Sequence, residues 1–232
     1  MKIAIMQPYL FPYIGYFQLI NAVDKFIVHD DVKWIKGGWI NRNRIFLNNK
    51  EELITLSVKK RGNYDNINQF EVLHEQNNQK KFLNKVRAAY IKSPYFSPVF
   101  PILEKIILND ESNLTRYILF SLEQINTYLQ IGTEIFLSSE IKKNNELKAQ
   151  ARVIDICKAM NANGYINPIG GVSLYNKDTF KQNGINLCFL NTKNIQYKQC
   201  ENKFIPGLSI IDVMMFNDKE EIIRMLDSYE LV

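Results

Sequence analysis

Three short stretches of this 232-residue chain carry residue types that can do chemistry together. The first, residues 6–20, reads MQPYLFPYIGYFQLI and holds no charge. Pro8 and Pro12 stiffen it, so it can be pre-organised for a guest. Tyr9, Phe11, Tyr13 and Tyr16 can stack on a base or a sugar ring, or cap the core. Gly15 lets backbone approach closely, a helix starting near Tyr13 favours an anion, and Gln7 adds a polar contact. The second stretch is His29-Asp30-Asp31. A histidine flanked by carboxylates can act as a general base near neutral pH, and alternation puts His29 and Asp31 on one face with Asp30 on the other. The other reading of Asp31 is an ion pair with Arg42 or Arg44. The acidic residues are too few to expect a metal.

The third stretch is WIKGGWINRNRI, residues 34–45. Gly37 and Gly38 make a flexible turn between Trp34 and Trp39, the chain's two tryptophans. Lys36, Arg42 and Arg44 supply positive charge, and Asn41 and Asn43 supply amides. Arginine grips phosphate through paired donors beside a stacking ring, which suits a pyrophosphate. RNA is the competing guest, since basic and aromatic residues also hold single strands. Further on, Gly170 and Gly171 in INPIGGVSLYN can admit a ligand beside Tyr175. Ser209 and Asp212 open a helix, where Ser209 is most simply an N-cap. No Cys–His or Ser–His nucleophile pattern and no phosphate-binding P-loop is present.

The elements that must position these residues follow from periodicity. Residues 2–6 and 25–30 read as strands and 13–23 as the helix between them, a βαβ unit with parallel strands. RIFL and ELITLSV read as a hairpin, and NINQFEVL as a further strand. Helices are expected over 79–93, 98–110, 113–130 and 146–161, then a strand at NGYIN, a short helix at DTFKQNGI, a strand at NLCFLN, and two closing helices. The fold class is therefore α/β, a Rossmann-like parallel-sheet core formed by 1–78 and 146–232 with a helical insertion at 79–145, in one compact unit. The first strand, loop and helix also look like the opening of nucleotide-binding folds that carry an H-x-G-H signature. Here YIGY, residues 13–16, stands in that place without its histidines.

Bulk composition narrows the class. Hydrophobic residues make up 46% and charged residues 23%, ordinary for a globular domain. No apolar run approaches the ~20 residues of a membrane helix. With no secretion signal and three unpaired-looking cysteines (157, 188 and 200), a reduced cytoplasm is expected and no zinc site. The net charge of +5 is concentrated between Lys33 and Arg61, as a phosphate-facing patch or a solvated face.

Four blocks, MQPYLFPYIGYF, HDDVKWIKGGWINRNRI, YINPIGGVSLY and FIPGLSIIDVMMFN, resemble the WbqC-like family in the family's order and along nearly the whole chain. In that pattern the residue before the two aspartates is usually apolar, so His29 departs from it and weight shifts to Asp30, Asp31, Lys36, Arg42 and Arg44. The resemblance implies a bacterial protein of O-antigen or other surface-polysaccharide biosynthesis, and an acyl or aminoacyl transfer, such as glycyl, to the amine of a nucleotide-linked amino sugar. His29 or Asp31 would then take the proton, and Lys36, Asn41 or Asn43 would face the oxyanion. The acyl group would come from ATP-dependent adenylation, aminoacyl-tRNA or an acyl carrier protein. A non-catalytic sugar-nucleotide-binding or assembly protein is the alternative, and an oligomer is compatible with either.

Overall fold

The computed structural model describes residues 1–59, 62, 65–199 and 204–232. Its centre is a six-stranded sheet in the order β5-β2-β1-β6-β7-β8. The strands are β1 (Lys2–Met6), β2 (Lys25–Val28), β5 (Glu134–Leu137), β6 (Gly164–Pro168), β7 (Asn186–Thr192) and β8 (Tyr229–Leu231). All pairs are parallel except β7 with β8. β3 (Arg42–Leu47) and β4 (Lys50–Thr55) form a separate antiparallel hairpin.

Alternation along each strand sorts the core onto two faces. Ile3, Ile5, Ile27, Tyr165, Leu187 and Phe189 pack under α5 (Ala149–Ala159) and α6 (Lys177–Gln182). Ala4, Phe26, Val28, Ile166 and Leu190 face a larger core. That core takes in α1 (Ile14–Asn21), α2 (Gln76–Tyr90), α3 (Phe96–Ile107), α4 (Leu114–Leu129), α7 (Ile210–Phe216) and α8 (Lys219–Leu226). Both faces are covered, which is why the strands are short apolar runs.

Chain connections leave β1 toward β2 and β6 toward β7, on opposite sides of the β1–β6 pair. The strand order thus reverses there, at the position where α/β sheets place their ligands beyond the carboxyl ends. The β1–β6 ladder pairs Lys2 with Gly164 and Ile3 with Tyr165, although β1 runs on to Met6 and β6 to Pro168.

Three expected elements differ. NINQFEVL holds a 3-10 turn at Ile67–Gln69, and its later residues make only isolated bridges, Val58 with Val72 and Glu71 with Asn113. Its backbone is satisfied by loops, not by a ladder. The span 79–145 supplies most of α2, with α3 and α4, and also β5, which joins the sheet beside β2. EIFL is too short to carry a legible alternation. The final helix stops at Leu226, and Tyr229–Leu231 turns back as β8 against β7.

Candidate functional site

Loop residues 7–13 leave the carboxyl end of β1 and dock on the start of β3. Leu10 N–H bonds the Ile40 carbonyl at 3.0 Å. The Asn43 amide donates to the carbonyls of Leu10 and Phe11 at 3.1 and 2.8 Å. Ser209 Oγ donates to the Phe11 carbonyl at 2.8 Å, and Ile210 N–H bonds the Pro12 carbonyl at 2.9 Å. Phe11 itself is fully buried at φ 44°, a left-handed conformation that a bulky side chain adopts only under such restraint. The loop is held by two distant segments, residues 40–43 and 209–210, which between them bond its backbone at Leu10, Phe11 and Pro12.

This docking makes one pocket of about 150 Å³ lined by Tyr9, Pro12, Tyr13, Trp39, Asn43, Arg44 and Gly207. Tyr13 and Trp39 are 40% and 39% exposed, so their rings are available to a guest. The guanidiniums of Arg42 and Arg44 lie 5.9 and 5.2 Å from the Trp39 ring centre. Arg44 also pairs with Glu51 at 2.5 Å, while its Nε is buried with no hydrogen-bond partner among the described residues. A neighbouring cavity of about 190 Å³ shares Tyr13 and Gly207 and adds Ile14, Thr192, Lys193 and Tyr197. The start of α1 borders it, with no acidic residue in the first turn and no side-chain cap. Gly15 keeps this geometry: a methyl group there would sit 2.4 Å from the Tyr13 ring and 2.8 Å from Thr192 Oγ1.

A second group of polar side chains lies at the end of β2. His29 N–H bonds the Met6 carbonyl at 2.7 Å, so His29 stands beside the root of the same loop. Asp31 accepts from Lys143 at 2.7 Å and Arg152 at 2.6 Å, both on Oδ2. Burial alone would raise the Asp31 carboxyl, but the hydrogen bonds from Lys143 and Ser138 and the charges of Lys143 and Arg152 outweigh it and hold it below the usual range. Burial drives His29 the other way, down to about 4, with Asp31 opposing and Arg152 and Lys143 adding to it. At neutral pH the imidazole is therefore uncharged. Asp31 pairs with these two cations rather than with Arg42 or Arg44.

Several expected ligand contacts have structural work instead. Trp34 stacks on Phe70 at 4.4 Å, because its ring packs against the core. Asp30 is buried and accepts from Ser139 N–H and Oγ at 2.9 and 2.6 Å. The Asn41 amide donates one hydrogen to the Leu56 carbonyl across the hairpin, while Asn43 spends both of its amide hydrogens clasping the loop and has none left for an oxyanion. Arg42 donates to the carbonyls of Gly37 and Gly38, which shapes the turn. Tyr16 is buried, its hydroxyl on the Gln7 carbonyl at 2.9 Å. Ser209 caps α7 through Ile211 N–H. Asp212 is wholly buried, bonded by Tyr90, Tyr197 and Gln199 at 2.7–2.8 Å, and burial raises its carboxyl.

Gly171 is buried with Asn167 Nδ2 1.8 Å from where its methyl would lie, so its small size serves packing. Gly170 faces open space. Tyr175 stands edge-on to Tyr165 and Phe180 in the α5-side core. None of these three lines the aromatic pocket. Lys36 is exposed and has no hydrogen bond or ion pair among the described residues.

Part of the basic stretch is paired within the chain: Arg44 with Glu51, Lys50 with Glu52 (which Lys85 also meets) and Lys59 with Glu71. Lys60, Arg61 and Cys200 lie outside the described residues. Among the described residues no three His, Cys, Asp or Glu side chains gather as a metal site, and no helix is long and apolar enough to cross a membrane.

The sequence alone does not single out Lys143, Arg152, Gly207 or Tyr197. Gly207 sits inside the FIPGL block and is within reach of it. Lys143 lies in a polar KKNN tract and Arg152 on an amphipathic helix, where each reads as a solvated charge.

The chain is 27% identical over 218 residues, 93% of either chain, to the uncharacterized protein Rv1507c of Mycobacterium tuberculosis. No solved structure matches it. The model of the WbqC-like protein family matches residues 7–224, and the chain belongs to that family.

Proposed function

We propose that the protein transfers an acyl group to the amine of a nucleotide-linked amino sugar in the biosynthesis of a surface polysaccharide such as O-antigen. One observation carries the reading. Tyr9 and Tyr13 from the loop after β1, and Trp39 and Arg44 from around the start of β3, line a single pocket beside the carboxyl ends of the sheet. A flat base fits between aromatic plates, and an arginine beside them complements a phosphate. The adjoining cavity, bordered by the start of α1 and by Lys193, suits the pyrophosphate. Arg44, Lys193 and the α1 start take the anion-binding role that the sequence pattern assigns to Arg42 with Arg44.

In the reaction the amine nitrogen bonds to the acyl carbon of an activated donor. The bond from that carbon to the leaving group breaks, and its electron pair departs with the leaving group. The amine proton passes to a base; of the two candidates at the end of β2, Asp31 is already held by two cations and His29, lowered to about 4 chiefly by burial, is a weak acceptor. The donor is an acyl adenylate made from ATP, an aminoacyl-tRNA or an acyl carrier thioester. Pyrophosphate release from ATP singles out the first. Catalysis takes place in the cytoplasm, where such donors are made.

The test is tryptophan fluorescence. Trp34 is covered by Phe70, so quenching reports on Trp39. UDP- and dTDP-linked 4-amino sugars should quench saturably, and Trp39→Phe should abolish the response. No response to any of these nucleotides or nucleotide sugars removes the reading. Tight binding without turnover with every donor class would leave a sugar-nucleotide-binding protein.

A further inference from the structure

The cavity of about 190 Å³ at the end of β7 has an apolar interior and a polar rim. Ile14, Leu208 and Val213 line it and are buried. Ile195, Tyr197 and Phe204 line it half-buried. Tyr13, Lys193 and Asn194 are its exposed, polar members.

The polar atoms of the interior are already committed. The Tyr197 hydroxyl donates to Asp212 Oδ2 at 2.7 Å. Asp212 is wholly buried and does not line the cavity, so what Tyr197 presents to a guest is its ring. Burial first, then the charge of Asp212, pushes the phenol far up, and it stays a donor to that carboxylate. The Gln199 amide donates to the same oxygen at 2.7 Å and to the Ile205 carbonyl at 3.0 Å, and its own oxygen accepts from Ile205 N–H at 2.8 Å. Phe204, the residue before Ile205, stands edge-on to Tyr197 with ring centres 5.1 Å apart. Asp212 thus fixes one ring directly and helps to fix the second through Gln199. Thr192 Oγ1 spends its one proton on Gln18 Oε1 at 2.7 Å. A guest hydroxyl pressed into this interior meets no free side-chain donor, and its burial there is costly. A methyl group in the same place gains by leaving water.

Size and neighbours say which part of a guest enters. Sites for a whole drug-sized ligand run to roughly 300–1,000 Å³, so a cavity of about 190 Å³ takes one ring of it. The cavity shares Tyr13 and Gly207 with the aromatic pocket, which suits the base. A pyrophosphate held at the rim by Lys193 and the start of α1 leaves the interior to the group beyond it, the sugar. The carbon that projects from a hexose ring is C6, and this is the atom that reaches furthest into an aliphatic floor.

We infer that this cavity seats the sugar of the nucleotide sugar and selects a 6-deoxy sugar over its 6-hydroxy counterpart, with Asp212 as a positioning residue that acts through Tyr197. This rests on the nucleotide-sugar reading above and adds the class of sugar. Tyr197 touches the sugar in this arrangement, and Val213 meets its methyl group.

The probes are dTDP-linked 4-amino-4,6-dideoxyglucose and dTDP-linked 4-amino-4-deoxyglucose, which differ only by the hydroxyl on C6, with the UDP-linked pair run in parallel. Affinities are read from Trp39 quenching. The 6-deoxy sugar should bind about 10- to 100-fold tighter, the discrimination that an apolar pocket reaches against an added hydroxyl. The ratio of the two affinities cancels whatever the nucleotide contributes. Val213→Thr puts a hydroxyl into the floor at nearly unchanged size and should narrow the ratio toward one. Tyr197→Phe keeps the ring and deletes its bond to Asp212, and should narrow the ratio as well.

A ratio below about tenfold in both series, with Trp39 quenched, overturns this inference and spares the nucleotide reading. A ratio that neither variant changes has its cause elsewhere and also overturns it. Narrowing by Val213→Thr alone keeps the sugar seat and removes the role of Asp212. Silence of Trp39 toward every nucleotide and nucleotide sugar overturns the reading beneath, and this inference falls with it.

Discussion

Ser209 at the head of α7 donates its hydroxyl to the carbonyl of Phe11, 2.8 Å away and 198 residues earlier in the chain. The bond joins the loop after the first strand to a helix near the other end of the sequence. Phe11 sits at φ 44°, a conformation that costs of order 1–3 kcal/mol for such a residue. The two amide bonds from Asn43 and the Leu10–Ile40 backbone bond offset that cost. The wall of the aromatic pocket is thus held from outside rather than by the loop's own propensities. The prolines limit what the loop can do, and the distant donors decide what it does.

Ser209→Ala removes the Phe11 bond and the cap on Ile211 N–H in one step. It should lower unfolding free energy by about 1–3 kcal/mol. Urea denaturation with an unchanged slope measures it. A decrease below about 0.3 kcal/mol, well under the usual cost of an orphaned buried acceptor, would show that the loop is held by its other bonds.

Tyr90 ties the hairpin to the same helix. Its hydroxyl donates to Asp212 at 2.8 Å and accepts from Phe46 N–H at 3.1 Å. Tyr90→Phe leaves a buried donor and a buried carboxylate oxygen each short of a partner. The expected cost is about 2–4 kcal/mol, near the sum of two such penalties at the lower end of their range. Asp212 would also be harder to ionise, since one of the bonds that favours its charged form is gone. Denaturation at pH 7 and pH 5 tests both: the deficit should be smaller at pH 5, where a carboxyl raised by burial is closer to its neutral form.

Gly15→Ala tests the pocket rather than the core. The added methyl would lie 2.4 Å from the Tyr13 ring, 40% exposed at the pocket rim, and 2.8 Å from Thr192 Oγ1. Tyr13 is the side chain with room to move. Nucleotide affinity measured by Trp39 quenching should fall roughly tenfold, which is what stacking a base on one aromatic ring is worth. The melting temperature should change little, because alanine suits a helix better than glycine. Unchanged affinity would take Tyr13 out of the site.

How far these features were readable depends on where their physical cause lies. The strands read at 2–6, 25–30 and NGYIN, and the helix between the first two, follow from apolar runs and spacing, and the structure has them at 2–6, 25–28 and 164–168. EIFL was not, because a four-residue edge strand gains its identity from pairing with β2. Tyr9 and Tyr13 in the uncharged loop and Trp39 and Arg44 in the basic stretch were legible by type as stacking and charged groups, but not that they line one pocket. Asn41, Asn43, Asp30 and Trp34 carried the same announcement and proved to be bonded within the fold, a difference that composition does not encode. Lys143 and Arg152 act on Asp31 from more than 100 residues away, and nothing near either of them marks it.

His29 makes the fold sensitive to acid in a defined window. Its folded value, about 4, lies below the ordinary 6.5, so between those two values the unfolded chain binds a proton that the folded chain refuses. Stability should be full above about pH 6.5 and should decline as the pH falls toward 4, by up to about 3 kcal/mol for a shift of this size. Asp31, held below its ordinary range, adds its own decline only at lower pH. His29→Gln should flatten the decline between pH 6.5 and 4 and leave the more acidic limb in place. His74→Gln is the control, its ring being exposed. Unfolding curves at half-unit pH steps read the slope directly, and a His29→Gln profile parallel to that of the unmodified chain through this window would show that the imidazole is free to charge in the folded state.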